Sequence, residues 1–490
     1  MPTHGNRTST SRMPAPEELA YGNVLQLAGA VVLFCWTAAF AADQNVLHVP
    51  AGGNLQQAID AALPGDKITL EPGAIYIGNF VLQNKTGNGW VTITTAGADP
   101  LEGSRITPQT ATSLAKIMAP NDSPAISTAT GAHHYRLDNL EVYSGPGVYS
   151  FRVIALGSGS SATAAASNIE LNRLYVHCDP QTGSKRGIEA NSASTVIKNC
   201  WISDFKSEFQ DSQGINAING PGPFTILNNY VEGGAENIMF GGGVARNADM
   251  IPSDIIIRHN HLRKPPEWIW ETKPPTAEGI VEPRWWVKNL LEFKNGRRAL
   301  VEENLLENTW VGYDQSAFAI LLTVRTEGTA MPYAVVEDIV IERNVIRNAA
   351  SGVQILDRDS GSRGRASRIR FKDNLFYNIN AQDPPVGWGK PPYYNHSRVS
   401  GWQARSRMFQ IQQGPPEVSI EHNTFIQAQG GVGGTNLLFF DPFSAAGVSD
   451  GFQFTDNIGA WPVSGSSRSE GIPTTGSPRG QPLQERRYRR

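Results

Sequence analysis

From about residue 46 to residue 460, apolar residues come in short runs rather than at the every-third-or-fourth spacing of a buried helix face. In one stretch the runs read GINAING, FTILNN and YVEGG; in the next NIMFGG, DIIIRHN and HLRK; further on GVQILD, RIRFKDN and LFYNI. Runs this short, rich in β-branched and aromatic residues and bounded by Gly, Asn and Asp, predict strands. Three such strands per unit, repeated unit after unit, predict an all-β right-handed parallel β-helix with three strands per coil and about ten or more coils.

Each unit carries an asparagine marker: Asn139, Asn172, Asn199, Asn228, Asn260, Asn304, Asn344, Asn374, Asn423 and Asn457. Asparagine tolerates the left-handed backbone of a sharp bend, and its amide can bond to its counterpart one coil on. The markers are therefore read as scaffold. Spacings from 27 residues (Asn172 to Asn199) to 49 (Asn374 to Asn423) mean that loops of variable length interrupt the coils.

The chain ends depart from this pattern. An apolar run from Val24 leads to Ala39, Phe40 and Ala41, a small-x-small cleavage pattern, so residues 1–41 are read as a signal peptide, the protein as exported (secreted or periplasmic), and no membrane anchor as staying after cleavage. Residues 463–490, rich in Ser, Gly, Pro and Arg, read as a disordered basic tail, leaving 42–462 for the β-helix. The body is mildly acidic, with no basic stripe interleaved with aromatics, which argues against nucleic acid. A monomer is expected. Cys178 and Cys200 sit at different offsets from their markers, too far apart along the strands to bridge, and are expected to be thiols.

Asn54 precedes a helical pattern with Leu55, Ile59 and Leu63 on one face, then a Pro-Gly-Asp turn and a strand. Such a helix would cover the open end of the stacked core. The string LQQAIDAALPGDKITL and the coil pattern to about residue 460 resemble the pectate-lyase-like β-helix superfamily, nearest in look to the chondroitinase B and alginate lyase type of polysaccharide lyase. That superfamily also holds hydrolases, esterases, epimerases and binding proteins.

Aligning the first strand of each unit (IEAN, INAIN, IMFG, LEFKN, LTVRT, VQILD, FQIQQ, LFFD) on its inward apolar residues predicts an outward polar column. It holds Glu189, Asn191, Asn216, Glu292, Lys294, Thr323, Arg325, Gln354, Gln410, Gln412 and Asp441, interspersed with Ile218, Met239, Gly241, Leu356 and Phe439. In this alignment Lys294 and Arg325 stack on adjacent coils, where like charges repel unless an anion faces them or solvent and Glu292 neutralise them. Two long insertions wall the column with Trp268, Trp270, Trp285 and Trp286, and with Trp388, Tyr393, Tyr394 and Trp402. Such rings either stack on sugars or glue the loops down. Residues 256–298 hold nine Lys or Arg against five Glu, a local excess suited to an anionic polysaccharide.

The resemblance implies chemistry. It makes Lys294 the base of a β-elimination on a uronic acid and Arg325 its partner, with Glu292 beside them. The loops and the outward column, read for themselves, offer Trp268, Trp270, Trp285, Trp286, Gln354, Trp388, Tyr393, Tyr394, Gln410 and Gln412 as the substrate contacts. A Ca²⁺ ion would then neutralise the substrate carboxylate, with Glu292, Asn216 and Glu189 as the available ligands. Two other readings stay open. One is a glycoside hydrolase on an acidic polysaccharide using Glu292 and Asp357, with Asp359 and Asp441 as further candidates; the other is a non-catalytic glycan-binding or cell-surface β-helix.

Overall fold

The computed structural model describes residues 45–459 apart from 99–101, 158–160, 246, 313–315, 326–332, 360–363, 392, 394–406, 427–435 and 441–448. The signal segment and the basic tail lie outside the described residues, as do Tyr394, Trp402 and Asp441.

The described chain winds as a parallel β-helix. One sheet has eleven strands, from Phe80–Leu82 at one end to Asn436–Phe440 at the other. The other two faces of each coil merge into a 23-stranded sheet, because the long strands His133–Ser144 and Ser167–His177 run across both. The first half of His133–Ser144 pairs with Val91–Thr95 and its second half with Ala115–Ala119, always in parallel. Inward Ile, Val, Leu and Phe fill one continuous core, with Phe240 stacked on Phe293 at 5.2 Å across adjacent coils. Each such fully buried side chain contributes roughly 1.5–3 kcal/mol.

The asparagine ladder is present, with two changes from the sequence reading. Its main run is Asn229, Asn260, Asn304, Asn344, Asn374, Asn423 and Asn457, so Asn229 and not Asn228 heads it. Asn228 instead bonds Asn199, and Asn199 bonds Asn172, in a separate stack. In the main run the left-handed residue is the one before the ladder position: His259, Glu303, Arg343, Asp373, His422 and Asp456. Asparagine is held here for its amide, whose oxygen accepts from both the backbone and the side chain of the preceding rung. Its NH₂ donates to backbone carbonyls, as from Asn304 to Ile257 and Glu302.

Asn54 caps the helix Leu55–Ala61 by accepting from the Gln57 amide. Leu55 and Ile59 are buried, but Leu63 lies past the last turn and is 68% exposed. The Gln56 side-chain amide accepts from the Val81 N–H and donates to the Val81 carbonyl, pairing backbone groups of the first strand of the eleven-stranded sheet. Cys178 and Cys200 are buried free thiols, each donating to a backbone carbonyl.

That sheet breaks strict alternation once per coil. Leu290 and Leu291, Ala319 and Ile320, and Met408 and Phe409 are consecutive residues that all lie in the core. At the matching places in earlier coils, a Cβ on Gly187 would strike the buried Phe205 ring and one on Gly214 the buried Val231. With two residues in a row facing inward, the residue before the pair faces outward, much as at a β-bulge. Three outward columns result, and the first of them carries Arg186, Gln213, Glu236 and Asn289 in register.

Candidate functional site

Strand burial separates this sheet from the rest of the coil. On the other faces buried and exposed residues alternate, as in Ser253–Arg258 and Ala366–Lys372. In Gln213–Ala217, Glu236–Phe240, Asn289–Phe293 and Phe318–Thr323 every residue is buried, so the outer polar side chains form the floor of a covered trough. Parallel strands buried on both sides ordinarily read as continuous apolar runs. Here one side is polar.

The charged centre of the floor is Glu236, Glu292, Lys294, Asp211 and Lys288. Glu292 lies in the second column, in register with Met239 and Leu321. Its carboxylate accepts from Asn289 at 3.1 Å and pairs with the Lys294 ammonium at 3.3 Å. Burial opposes the Lys294 charge, yet Glu292 first, then Glu236 and Asp211, hold its pKa above the ordinary lysine value. Asp211 pairs with Lys288 at 2.8 Å, and both keep some exposure, so the cluster reaches solvent beside them.

Glu236 has no exposed surface. One carboxyl oxygen accepts from Gln213 at 2.7 Å, and Gln213 in turn accepts from Arg186. The other oxygen has no hydrogen-bond partner. Burial pushes the Glu236 pKa well above the usual carboxylate range; the charges of Asp211 and Glu292 push the same way, and Lys294 and Lys288 oppose them. On the inner side, the buried Lys264 ammonium donates to the backbone carbonyls of Gly233 and Ala235 and to the Asn237 side-chain oxygen, and burial brings its pKa down to about 7 against the opposing pull of Glu236.

Several expected relationships change. The in-register partner of Leu291 is Ile320, not Leu322, so Glu292 faces Leu321 and the strand that ends at Thr323 is slipped by two residues from the sequence alignment. Arg325 is therefore not at the position aligned with Lys294, although its backbone N–H bonds the Lys294 carbonyl at 3.2 Å. It lies beyond the strand, half-exposed, bonded to Asp359 at 2.6 Å. The proposed metal ligands also separate: Glu189, Asn216, Met239 and Glu292 occupy successive coils, which sets Glu189 about 14 Å from Glu292. Glu189 is already held by Arg152 and Arg186. Met239 interrupts the column, so these three residues do not form one Ca²⁺ site. Among the described residues no group of three or more His, Cys, Asp or Glu is placed to hold a metal. Asp357 is likewise engaged, its two oxygens 3.0 Å from Arg365.

The aromatic loops do meet on one side of the trough. Trp268 and Trp285 are buried with Ile269, Val287 and Trp310, and Trp388 packs against this cluster. The Lys206 ammonium lies between the Trp268 and Trp285 rings, at 4.7 and 4.6 Å, and Tyr393 donates to the Ile269 carbonyl. Trp268 and Trp285 thus anchor the loop and present no free face to a sugar. Trp286 is partly buried, and Trp270 is 52% exposed. Gln354 and Gln410 are in register, and Gln354 donates to Gln412 at 2.7 Å, so the three glutamines gather beyond the charged centre. His259 and His261 pair with Glu303 and Glu307 one coil on, as scaffold.

Sequence reasoning missed Glu236, Gln213, Asn289, Asp211 and Lys288. Strict alternation turns the first three inward, toward the core. The signal was the doubled apolar residues Leu290-Leu291 and Met408-Phe409, which leave no room for regular alternation.

No family model matches the chain, and no curated protein matches its sequence. Solved structures do. The GH136 lacto-N-biosidase from Eubacterium ramulus is 12% identical with a TM-score of 0.50, the match covering 85% of this chain and 68% of that one. The family 28 exopolygalacturonase of Yersinia enterocolitica is 10% identical over 84% of this chain and 78% of that one, TM-score 0.45. A mannuronic acid specific family 6 polysaccharide lyase from human gut microbiota is 12% identical over 87% and 89%, TM-score 0.39. The fold is a right-handed parallel β-helix. Among the described residues no helix is long and apolar enough to cross a membrane.

Proposed function

We propose that this protein is a carbohydrate-active enzyme that hydrolyses glycosidic bonds in a polysaccharide lying along the trough, with Glu236 as general acid and Glu292 as its carboxylate partner. The observation that carries the reading is the buried Glu236 carboxyl, one oxygen unbonded and its pKa pushed up, beside a second carboxylate held by Lys294. Cleavage of a glycoside needs a proton delivered to the leaving oxygen and a negative group facing the positive charge that develops on the sugar. Glu236 carries the proton for the first role and Glu292 the charge for the second; both are covered in this structure, so the reading requires the chain above them to move aside before a sugar reaches them.

The β-elimination expected from the resemblance fits less well. A lysine base must first lose its proton, and the Glu292 carboxylate, with Asp211 behind it, holds Lys294 in its charged form. Its expected partner Arg325 is occupied by Asp359. The reading includes export through residues 1–41 and action as a single chain.

The test is incubation of the purified chain with a panel of neutral and acidic polysaccharides. New reducing ends without ultraviolet absorbance support hydrolysis. Absorbance from an unsaturated uronate overturns it in favour of elimination.

A further inference from the structure

Two phenylalanines stand in solvent on loops beside the charged centre: Phe209 is 60% exposed and Phe151 50%. Both loops lead into the eleven-stranded sheet, Phe151 ahead of the strand Ile154–Leu156 and Phe209 ahead of Gln213–Ala217. Between them lies the coil of Lys185, whose backbone N–H bonds the Ser150 carbonyl and whose own carbonyl accepts from Gln213, so the three entries stack on consecutive coils. Arg284 of the long aromatic loop reaches back to Glu208, next to Phe209.

The two rings share one set of supports. The Tyr149 hydroxyl donates to Ser207 and accepts from the Gln210 amide, each at 2.9 Å, and Lys185 donates to the Gln210 side-chain oxygen at 2.8 Å. Tyr149 packs against Phe209 with ring centroids 4.9 Å apart, and the Lys185 ammonium lies 5.1 Å from the centre of the Phe151 ring. Single exposed apolar residues need no explanation, but two tied to one hydrogen-bond network do. Fixing a ring whose outer face stays in water gains the fold little, whereas it spares a ligand the entropy of ordering that ring.

The patch runs directly into the charged centre. Two residues past Phe209, Asp211 pairs with Lys288, and four past it Gln213 bonds Glu236. One residue past Phe151, Arg152 bonds Glu189. The coil that Phe151 opens lies three steps before that of Glu236, about 14 Å along the axis, and the coil that Phe209 opens lies one step before it. The floor of the trough is covered, but these rings are open to solvent without any movement of the chain.

A sugar suits this surface on two counts. Its apolar C–H face packs on an aromatic ring, and its hydroxyls meet the partly exposed Arg152 and Asp211 side chains beside the rings. With Lys185, Gln210, Arg152 and Asp211 around two phenylalanines, the patch lacks the charge-depleted apolar centre of a protein interface. We infer that Phe209 and Phe151 form an open sugar-binding platform at the edge of the trough, which captures the polysaccharide next to the Glu236 coil. This deepens the proposed function and rests on a polysaccharide being the substrate.

The experiment compares the full chain with Phe151→Ala, Phe209→Ala and the double variant by electrophoresis through gels containing each polysaccharide of the panel, with KM and kcat measured for any that is cleaved. Wild type should be retarded by at least one polysaccharide. Each single variant should bind about threefold to tenfold more weakly and the double variant more weakly still, with melting temperatures unchanged because the rings are exposed. Phe209→Trp, which keeps an aromatic face, should bind at least as tightly as wild type. In turnover the loss should appear chiefly as a raised KM. Wild-type retardation of the double variant, or no retardation of wild type by any polysaccharide, would overturn the inference. So would sedimentation showing that wild type self-associates and the double variant does not, which would give the rings to a second copy of the chain. The two readings fail separately. Retardation that the double variant loses, with no cleavage by wild type, sinks hydrolysis and leaves the platform; cleavage with one KM in both proteins does the reverse.

Discussion

Lys294 and Glu292 lie two residues apart at the end of one strand, their side chains joined at 3.3 Å with the carboxylate only 2% exposed. Removing the cation strands a buried carboxylate. Lys294→Met is expected to lower stability by about 3 kcal/mol, the scale for breaking one half of a buried pair. The double variant Lys294→Met with Glu292→Gln should recover most of that loss. Denaturant melts of the four proteins in the cycle measure the coupling, and a double variant no more stable than Lys294→Met would show that the pair does not act as a unit.

Glu236→Gln keeps the shape of a protonated carboxyl and removes its proton. Activity in the reducing-end assay should fall by at least about a hundredfold, with the circular dichroism spectrum unchanged. The sign of the stability effect follows from the raised pKa. Above the ordinary carboxylate range the folded protein holds a proton that the unfolded chain has released, so wild-type stability falls as pH rises through that window. Glu236→Gln lacks that slope, and its advantage over wild type should widen with pH. A constant difference between pH 4 and pH 8 would contradict the assigned protonation.

The coil pattern and the asparagine ladder were legible in the sequence because each coil repeats them and their bonds run to the next coil. The trough was legible only in part. In ILLTVRT, Leu321 and Leu322 follow Ile320, so apolar character alone could not say which faces inward, and the two-residue slip moved Arg325 onto Lys294. Glu236 was invisible for a related reason: it precedes Asn237, which points inward to bond the Val231 and Arg263 carbonyls and is polar where a core residue is expected. Ligand sets that span coils, such as Glu189 with Glu292, depend on counting coils correctly and on every residue between them.

Arg325 distinguishes elimination from hydrolysis. Its side chain is 46% exposed and paired with Asp359, two residues past the end of the strand Phe318–Thr323, while its backbone N–H bonds the Lys294 carbonyl. Arg325→Ala should leave turnover within about threefold of wild type and change stability by no more than about 1 kcal/mol, as for other exposed ion pairs. A loss of activity comparable to that of Glu236→Gln would return Arg325 to the chemistry.

In the ladder, Asn304 accepts from the Asn260 backbone and side chain and donates to the Ile257 and Glu302 carbonyls, all of them buried. Asn304→Ala leaves these groups unbonded and should cost about 3 kcal/mol. Asn228→Ala, in the separate and more open stack with Asn199, should cost about 1 kcal/mol. Thermal melts of the two variants measure the contrast; equal losses would mean that the ladder has no special weight.

Glu232 gives a pH test away from the trough. Burial pushes its carboxyl up to about 7, with the Asp204 charge adding to the shift, while the Tyr230 hydroxyl and the Asp204 backbone N–H donate to it. Its folded pKa is raised, so the fold binds more protons than the unfolded chain between about pH 4.5 and about 7, and stability declines as pH rises across that window. At neutral pH the accumulated loss is about 3 kcal/mol. Glu232→Gln should remove that contribution, melting higher than wild type at pH 7.5 and close to it at pH 4. The reverse order, with the variant gaining only in acid, would mean that Glu232 enters the folded core charged.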